Sequence, residues 1–417
     1  MVYLQTMFTK QSICPNSRTT LSVKSLFVIS WLSLLPFYSF SQLNTLSPHA
    51  QISVITFGPT QEELYSAFGH SGIRVYDSLG NLDLFFNYGV FNFNQPNFYL
   101  NFTRGHLLYS VDVYPYPAFR EYYIENKRFV HEQLLNLTPA QAQKIFSFLA
   151  WNVQPENKDY LYDYFYNNCA TKVRDVFEHV LNEDVAFDST FIQTDYTIRQ
   201  LTDLYLQQQP WGDLGIDICL GLPMDKKARP YEYMFLPDYI ESSFDHATNQ
   251  FLSLPLVKRK IVVFEPAIEK IPFQWFHPWV VFGLLLLAGA WITHRDWRRA
   301  KTSAWLDASL FFVCGVIGLL LLLLWTATDH KAAAKNFNLL WALPTHFILI
   351  FFLLKKRWKP KWLKNYFLVT TLIYALLLGF WFLLPQALSV YLIPFVCLLL
   401  MRSALNFLLL KRVSSAS

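Results

Sequence analysis

Acidic side chains nearly vanish from the last third of this 417-residue chain. Residues 273–417 hold three Asp and Glu against 15 Lys and Arg, residues 42–272 hold 27 against 17, and residues 1–41 hold none against three. Charge is sparse throughout, at 16% of residues, and the basic runs lie beside hydrophobic spans, which argues against nucleic acid as a partner. Cysteine is scarce as well. Of five, Cys14 falls in the leader, Cys314 and Cys397 in apolar spans, and Cys169 and Cys219 are left for residues 42–272. A multi-bridge scaffold is excluded, although a single Cys169–Cys219 disulfide stays open at this point. No HExxH, CxxC or glycine-rich phosphate loop occurs, and His, Asp and Glu are scattered without ligand spacing. Neither a metal nor another cofactor is therefore expected. What the chain has in abundance is apolar surface: 53% hydrophobic and 18% aromatic residues, with a mean hydropathy of +0.22. It can bury more than enough to offset ordering entropy, so disorder is excluded, and a simple soluble enzyme is a poor fit.

The three charge regimes mark three segments. Lys10, Arg18 and Lys24 precede the apolar stretch Leu26–Phe40, and Ser39 and Ser41 supply small residues before a cut at Gln42. Residues 1–41 thus read as a secretory signal peptide, with an uncleaved anchor as the alternative. Either places residues 42–272 outside the cytoplasm. Five apolar stretches follow: Phe276–Thr293, Leu306–Trp325, Leu339–Leu354, Tyr366–Leu384 and Ser389–Leu410. Most match the length that ~30 Å of hydrocarbon demands; the third is short and broken by Pro344, Thr345 and His346. Loops 294–305 and 355–365 and the C-terminus carry 12 Lys and Arg, against Lys331 and Lys335 on the other side. The positive-inside rule then puts the C-terminus in the cytoplasm of a multi-pass inner-membrane protein, with residues 273–417 as a bundle of about five helices. Asp307 and Arg402 fall within apolar spans and either face the bundle interior or, more simply, cap a helix and snorkel. At the outer face, Thr328, Asp329, His330, Asn336, Asn338 and Pro344 gather hydrogen-bonding groups beneath the exported domain. His330 and Asn338 are candidate substrate contacts there, a loop held by bonds to its own backbone being the plainer reading.

The exported segment opens with a strand over Gln51–Phe57 and a short helix over Thr60–Ala67, begun by Thr60 with Glu62 and Glu63 in its first turn. In the next strand Ile73 and Val75 point one way while His70, Gly72 and Arg74 share the other face. Leu82–Phe91 makes a further strand, and Thr138 caps a helix with Pro139 at its first position. The segment Tyr166–Val176 carries the chemistry. Val173, Val176, Phe177, Val180 and Leu181 recur at helical spacing, and Asn167 or Asn168 is a good N-cap. Cys169 then lies in the first helical turn, where orphan N–H groups and the positive end of the helix dipole favour a thiolate. A nucleophile there, with His70 as base on a neighbouring strand, is the arrangement expected for thiol catalysis.

GHSGIRV around His70 and YNNCATKVRDV around Cys169, in that order, resemble a circularly permuted papain-like fold of the NlpC/P60 superfamily. TFGPTQEELYSAFGHSGIRV (56–75), FNYGVFNF (86–93), LGIDICLGLPMD (214–225), MFLPDYI (234–240) and TDHKAAAKNFNLLW (328–341) are more closely similar to bacterial lipoprotein N-acyltransferases with an Lnb-type periplasmic domain and membrane tail. The resemblance implies an α+β thiol domain followed by an all-α transmembrane bundle. It implies Cys169 as the acyl-accepting nucleophile and His70 as its base. Asn87 is the expected orienting third group, neighbouring Tyr88 being nearly as good. Ser71, Arg74, Tyr88, Asn168 and Thr171 join His330 and Asn338 as candidate substrate contacts. The implied donor is a membrane phospholipid and the implied acceptor a lipoprotein. Two other classes compete: a thiol peptidase or amidase acting on cell-wall peptides, and a non-catalytic lipid-binding or assembly protein with Cys169 bonded to Cys219.

Overall fold

The computed structural model describes residues 45–267, 275–355 and 360–415. The leader and its cleavage site lie outside them, as do Lys356, Arg357 and Lys359 of the basic loop. The exported domain is built on β1 (Gln51–Phe57), the first strand expected from sequence and buried over six of its seven residues. It pairs antiparallel with β2 (His70–Asp77), and β2 with β3 (Leu82–Val90). Then come α1 (Phe98–Arg104), β4 (Leu108–Pro115), α2 (Tyr116–Glu125), β5 (Val130–Leu135), α3 (Pro139–Asn152) and β6 (Asp159–Leu161). Helix α4 (Cys169–Leu181) leads to β7 (Val185–Phe187), α5 (Ile198–Leu206), α6 (Pro210–Cys219), α7 (Pro237–Asp245), β8 (Ala247–Asn249), β9 (Leu254–Pro255) and β10 (Val257–Phe264). The main sheet is antiparallel in the order β10-β5-β1-β2-β3-β4-β6, with β7, β8 and β9 in a small second sheet.

Both faces of the main sheet are covered, which explains why β1 shows no clean polar alternation. On one face Phe57 stacks on Tyr123 of α2 at 3.9 Å between ring centroids, and Phe85 meets Phe119 at 4.4 Å. On the other, α4 lies against β2 and β3 and buries Val173, Val176, Phe177 and Leu181, with Phe177 edge-on to Phe244 of α7. Helix α3 opens as expected, with Thr138 and Gln141 forming a reciprocal capping box. The helix expected over Thr60–Ala67 does not form. Only a 3-10 turn at Leu64–Ser66 is present. The Ser66 carbonyl accepts from both Thr60 and Gly69 N–H, closing the segment into a tight loop instead of a continuing helix.

The C-terminal region holds α8 (Pro278–Arg298), α9 (Ala304–Thr326), α10 (His346–Leu354), α11 (Trp362–Gly379) and α12 (Ile393–Ser415). Among the described residues, four helical segments are long and apolar enough to cross a membrane: 278–298, 304–326, 362–379 and 390–412. The third expected span is not such a helix. Its helical part, α10, has nine residues and reaches only about 14 Å at 1.5 Å per residue. The residues before it are spent in a 3-10 turn, Phe337–Leu340, and an irregular approach through Pro344. Asp307 and Arg402 face the bundle interior. Arg402 Nε donates to Asp307 Oδ1 at 2.6 Å and Nη1 to Asp296 Oδ2 at 3.0 Å, so neither the capping nor the snorkelling reading holds.

The domain is tied to the bundle by buried amides that grip backbone. Asn336 Nδ2 donates to Ile218 O (2.7 Å), Asn338 Nδ2 to Asp217 O (3.2 Å), and Gln386 Nε2 to Leu220 O (3.0 Å). Beneath them Arg199, 2% exposed, bridges Asp217 at 2.8 Å and Asp225 at 3.0 Å. Asp225 in turn accepts from the Ala387 N–H at 2.9 Å. Removing the cation from a buried pair leaves its carboxylates uncompensated. Arg199→Met should cost about 3–5 kcal/mol, measured as loss of thermal stability in detergent. An unchanged melting temperature would mean that this network contributes little to the junction.

Candidate active site

The site is assembled where α4 meets the start of β2 and the end of β3. Asn168 is the N-cap of α4. Its Oδ1 accepts from Thr171 N–H at 2.9 Å, and the Thr171 hydroxyl oxygen accepts from Asn168 N–H at 2.8 Å. Asn168 Nδ2 also donates to Tyr164 O and Phe235 O, which fixes the cap to two flanking segments. Cys169 is therefore the first helical residue, half-buried and a free thiol. Cys219, exposed at the end of α6, is also free, so the disulfide alternative is set aside. Gly89 faces the cysteine at a bulge between β3 and β4, with φ +89°. A Cβ there would lie 3.5 Å from Cys169 Cβ in a backbone conformation that side chains rarely adopt.

His70 begins β2, 8% exposed. Its Nε2–H donates to Asn87 Oδ1 at 2.6 Å. That bond fixes the tautomer and leaves Nδ1 as the basic nitrogen. Burial pushes the His70 pKa down to about 4, partly opposed by the Asn87 bond and reinforced by the Arg128 charge. Burial likewise pushes the Cys169 thiol up to about 11, against the pull of the backbone N–H groups of Ser71, Ala170 and Cys169 itself. Here the structure corrects the sequence expectation. The helix N-terminus does favour a thiolate, but desolvation outweighs it, and thiol and imidazole rest as a neutral pair. Tyr160 and Tyr162 border the sulfur, and their hydroxyls are held well above the ordinary range, first by burial and then by proximity to Cys169.

Of the proposed third groups, Asn87 reaches His70 and Tyr88 does not. Neighbours on a strand point to opposite faces, and Tyr88 OH donates to Asn152 Oδ1 at 2.7 Å. Tyr88 instead lines a separate cavity of about 410 Å³ with Trp151, Tyr160 and Lys172. Ser71 sits beside the sulfur, its hydroxyl buried and without a partner. Arg74 does not turn to a substrate: Asp83 and Glu132, on β3 and β5, bind its guanidinium at 2.7 and 3.0 Å. Asn168 and Thr171 are occupied by the cap. Asn338 is occupied in docking, and His330 Nε2 donates to Phe102 O at 3.1 Å. Tyr160 and Tyr162 were not singled out from sequence. The signal was there: Tyr160, Tyr162, Tyr164 and Tyr166 alternate into the cysteine motif.

A helix-borne thiol, a histidine on an adjoining strand and a carboxamide behind it define a thiol-centred α+β domain, here joined to a helical membrane region. Residues 41–203 match the Lnb N-terminal periplasmic domain and residues 270–413 the Lnb transmembrane domain. The chain belongs to the Lnb family, as a membrane protein of lipoprotein processing with a periplasmic domain. No curated protein and no solved structure matches it.

A thiol held up to about 11 gains thiolate about tenfold per pH unit across the neutral range. Alkylation of Cys169 by iodoacetamide, followed by peptide mass spectrometry, should still be accelerating between pH 8 and about 10. A plateau by pH 7 would show that the helix N-terminus prevails.

Proposed function

We propose that the protein is a lipoprotein N-acyltransferase working through a thioester on Cys169. The observation that carries this reading is the His70–Asn87 bond of 2.6 Å beside a helix-borne thiol on a membrane-attached domain. His70 Nδ1 takes the Sγ proton as sulfur attacks an ester carbonyl of a membrane glycerolipid. Because thiol and imidazole rest neutral, proton transfer accompanies attack instead of preceding it. Backbone N–H groups at the start of α4, with that of Ser71, meet the developing oxyanion. The tetrahedral adduct collapses with cleavage of the ester C–O bond, the departing alkoxide recovers the proton from His70, and a lysolipid leaves. The α-amine of a lipoprotein's lipidated N-terminal cysteine then attacks the thioester. His70 takes the amine proton and returns it to the departing sulfur, and an amide is formed. Asn87, by accepting from Nε2–H, keeps Nδ1 free to act as the base throughout. Membrane spans fit two substrates that both carry long acyl chains, whereas a cell-wall peptidase needs only an anchor.

With phospholipid alone and no acceptor, Cys169 should accumulate a hydroxylamine-sensitive acyl group, seen as the mass of one chain on its peptide. Cys169→Ala should carry none. His70→Ala should slow its formation by about 10²–10⁴-fold. If rapid-quench samples lack the species while lipoprotein N-termini are being acylated, covalent transfer is ruled out.

The reaction requires residues 42–272 in the periplasm and loops 294–305 and 355–365 in the cytoplasm, as the charge asymmetry argues. A cysteine introduced at Lys361 should resist a membrane-impermeant maleimide in intact cells. Ready labelling there would reverse the orientation.

A further inference from the structure

Helix α1 buries Phe98 alone. Tyr99 is 75% exposed, and Leu100, Phe102 and the preceding Phe93 are exposed as well. Four large apolar side chains in water within ten residues form a patch that a soluble domain has no reason to keep. The position of α1 supplies the reason. Its C-terminal end is fastened to the loop that follows α9: Asp329 N–H donates to Arg104 O at 2.8 Å, His330 Nε2 to Phe102 O at 3.1 Å, and His106 Nε2 to Asp329 Oδ2 at 2.6 Å. Helix α9 ends at Thr326, so α1 is held within a few residues of the end of a membrane span. That is the interfacial level, where aromatic side chains favour the bilayer. Arg104 and Lys331, both exposed at the same junction, bring positive charge to the depth of the lipid phosphates.

A run of rings leads from this helix to the sulfur. Phe98 stacks with Phe91 at 6.3 Å, Phe91 meets Tyr109 at 5.1 Å, and Tyr109 stacks on Tyr162 at 4.4 Å. Tyr162 lies across Gly89 from Cys169: a Cβ at Gly89 would stand 3.7 Å from the Tyr162 ring and 3.5 Å from Cys169 Cβ. Phe91, Tyr109 and Tyr162 are each only partly buried, so the run is open along its length. We infer that α1 dips into the outer leaflet and that the Phe91–Tyr109–Tyr162 run seats the donor's acyl chain on its way from the bilayer to Cys169. The occupant is one acyl chain of a membrane glycerolipid. The docking half stands on the exposed patch and its anchorage, whereas the path half rests on Cys169 accepting an acyl group.

The test uses the full-length protein in phosphatidylethanolamine and phosphatidylglycerol vesicles. A benzophenone amino acid placed at position 99 or 102 should give phospholipid adducts on irradiation. One placed at exposed Trp151 of α3 should give none. In parallel, Cys169 acylation is timed with a long-chain phospholipid and with its dihexanoyl analogue as monomers. Phe91→Ser with Tyr109→Ser, both in the run, should lower the long-to-short rate ratio by about tenfold or more, the factor equivalent to removing one aromatic side chain from an apolar contact. Trp151→Ser, away from the run, should keep the ratio near that of the unsubstituted protein. Absence of lipid adducts at both 99 and 102 overturns the docking. An unchanged rate ratio overturns the path. If the unsubstituted protein takes no acyl group from either lipid, the acyl-transfer reading falls and the path with it, while the adducts still decide the docking.

Discussion

Everything at the site depends on one helix cap. Asn168 Oδ1 receives the Thr171 N–H while its Nδ2 reaches Tyr164 O and Phe235 O. A single side chain thus joins the start of α4, the tyrosine-rich approach to it and the turn before α7. That fixes where the helix begins, and so where Cys169 projects. The sulfur ends beside the Ser71 amide and opposite Gly89, the one place on β3 without a side chain to obstruct it. Had the helix begun one residue later, Cys169 would lie outside it and lose the N-terminal amides; one residue earlier, it would rotate by about 100°.

Two effects oppose each other at that sulfur, and their order decides the chemistry. The helix N-terminus stabilises negative charge, by up to about 2 kcal/mol even in favourable, partly buried geometry. Packing by tyrosines and by the sheet removes water from the same atom, and that loss dominates, leaving the thiol at about 11 and the imidazole at about 4. A standing ion pair is thereby avoided until a substrate carbonyl arrives. In the acyl-transfer reaction proposed above, the water exclusion that disfavours the free thiolate would also slow hydrolysis of an acylated sulfur.

The local elements were legible because their signals are local. Alternation located β2, Thr138 located the start of α3, and the apolar spacing after Val173 located α4. Asn87 could be chosen for the third group because strand order placed it beside His70. What could not be read were side-chain destinations set by partners far along the chain. Arg74 looked free on the His70 face, yet Glu132 reaches it from 58 residues away. Asn338 looked available to a ligand, yet it holds Asp217 O from 121 residues away. Asn168 and Thr171 satisfy each other three residues apart, so a motif residue can shape a site while its polar atoms face the scaffold.

The junction between domain and bundle follows the same logic. Asn336, Asn338 and Gln386 bind main-chain carbonyls at the end of α6, and a carbonyl on a packed backbone cannot swing away as an exposed side chain can. Arg199 then pairs with Asp217 and Asp225, whose backbone or side chain engages the bundle directly. The domain is consequently held at a set height and rotation above the membrane spans. The loop that carries Asn336 and Asn338 also fastens α1, through Asp329 and His330. Together these contacts resist tilting, which one tether would permit. Under the proposed reaction, with an ester donor confined to a bilayer, that constraint would replace a diffusional search in three dimensions by delivery at a fixed depth, where proximity itself lowers the barrier.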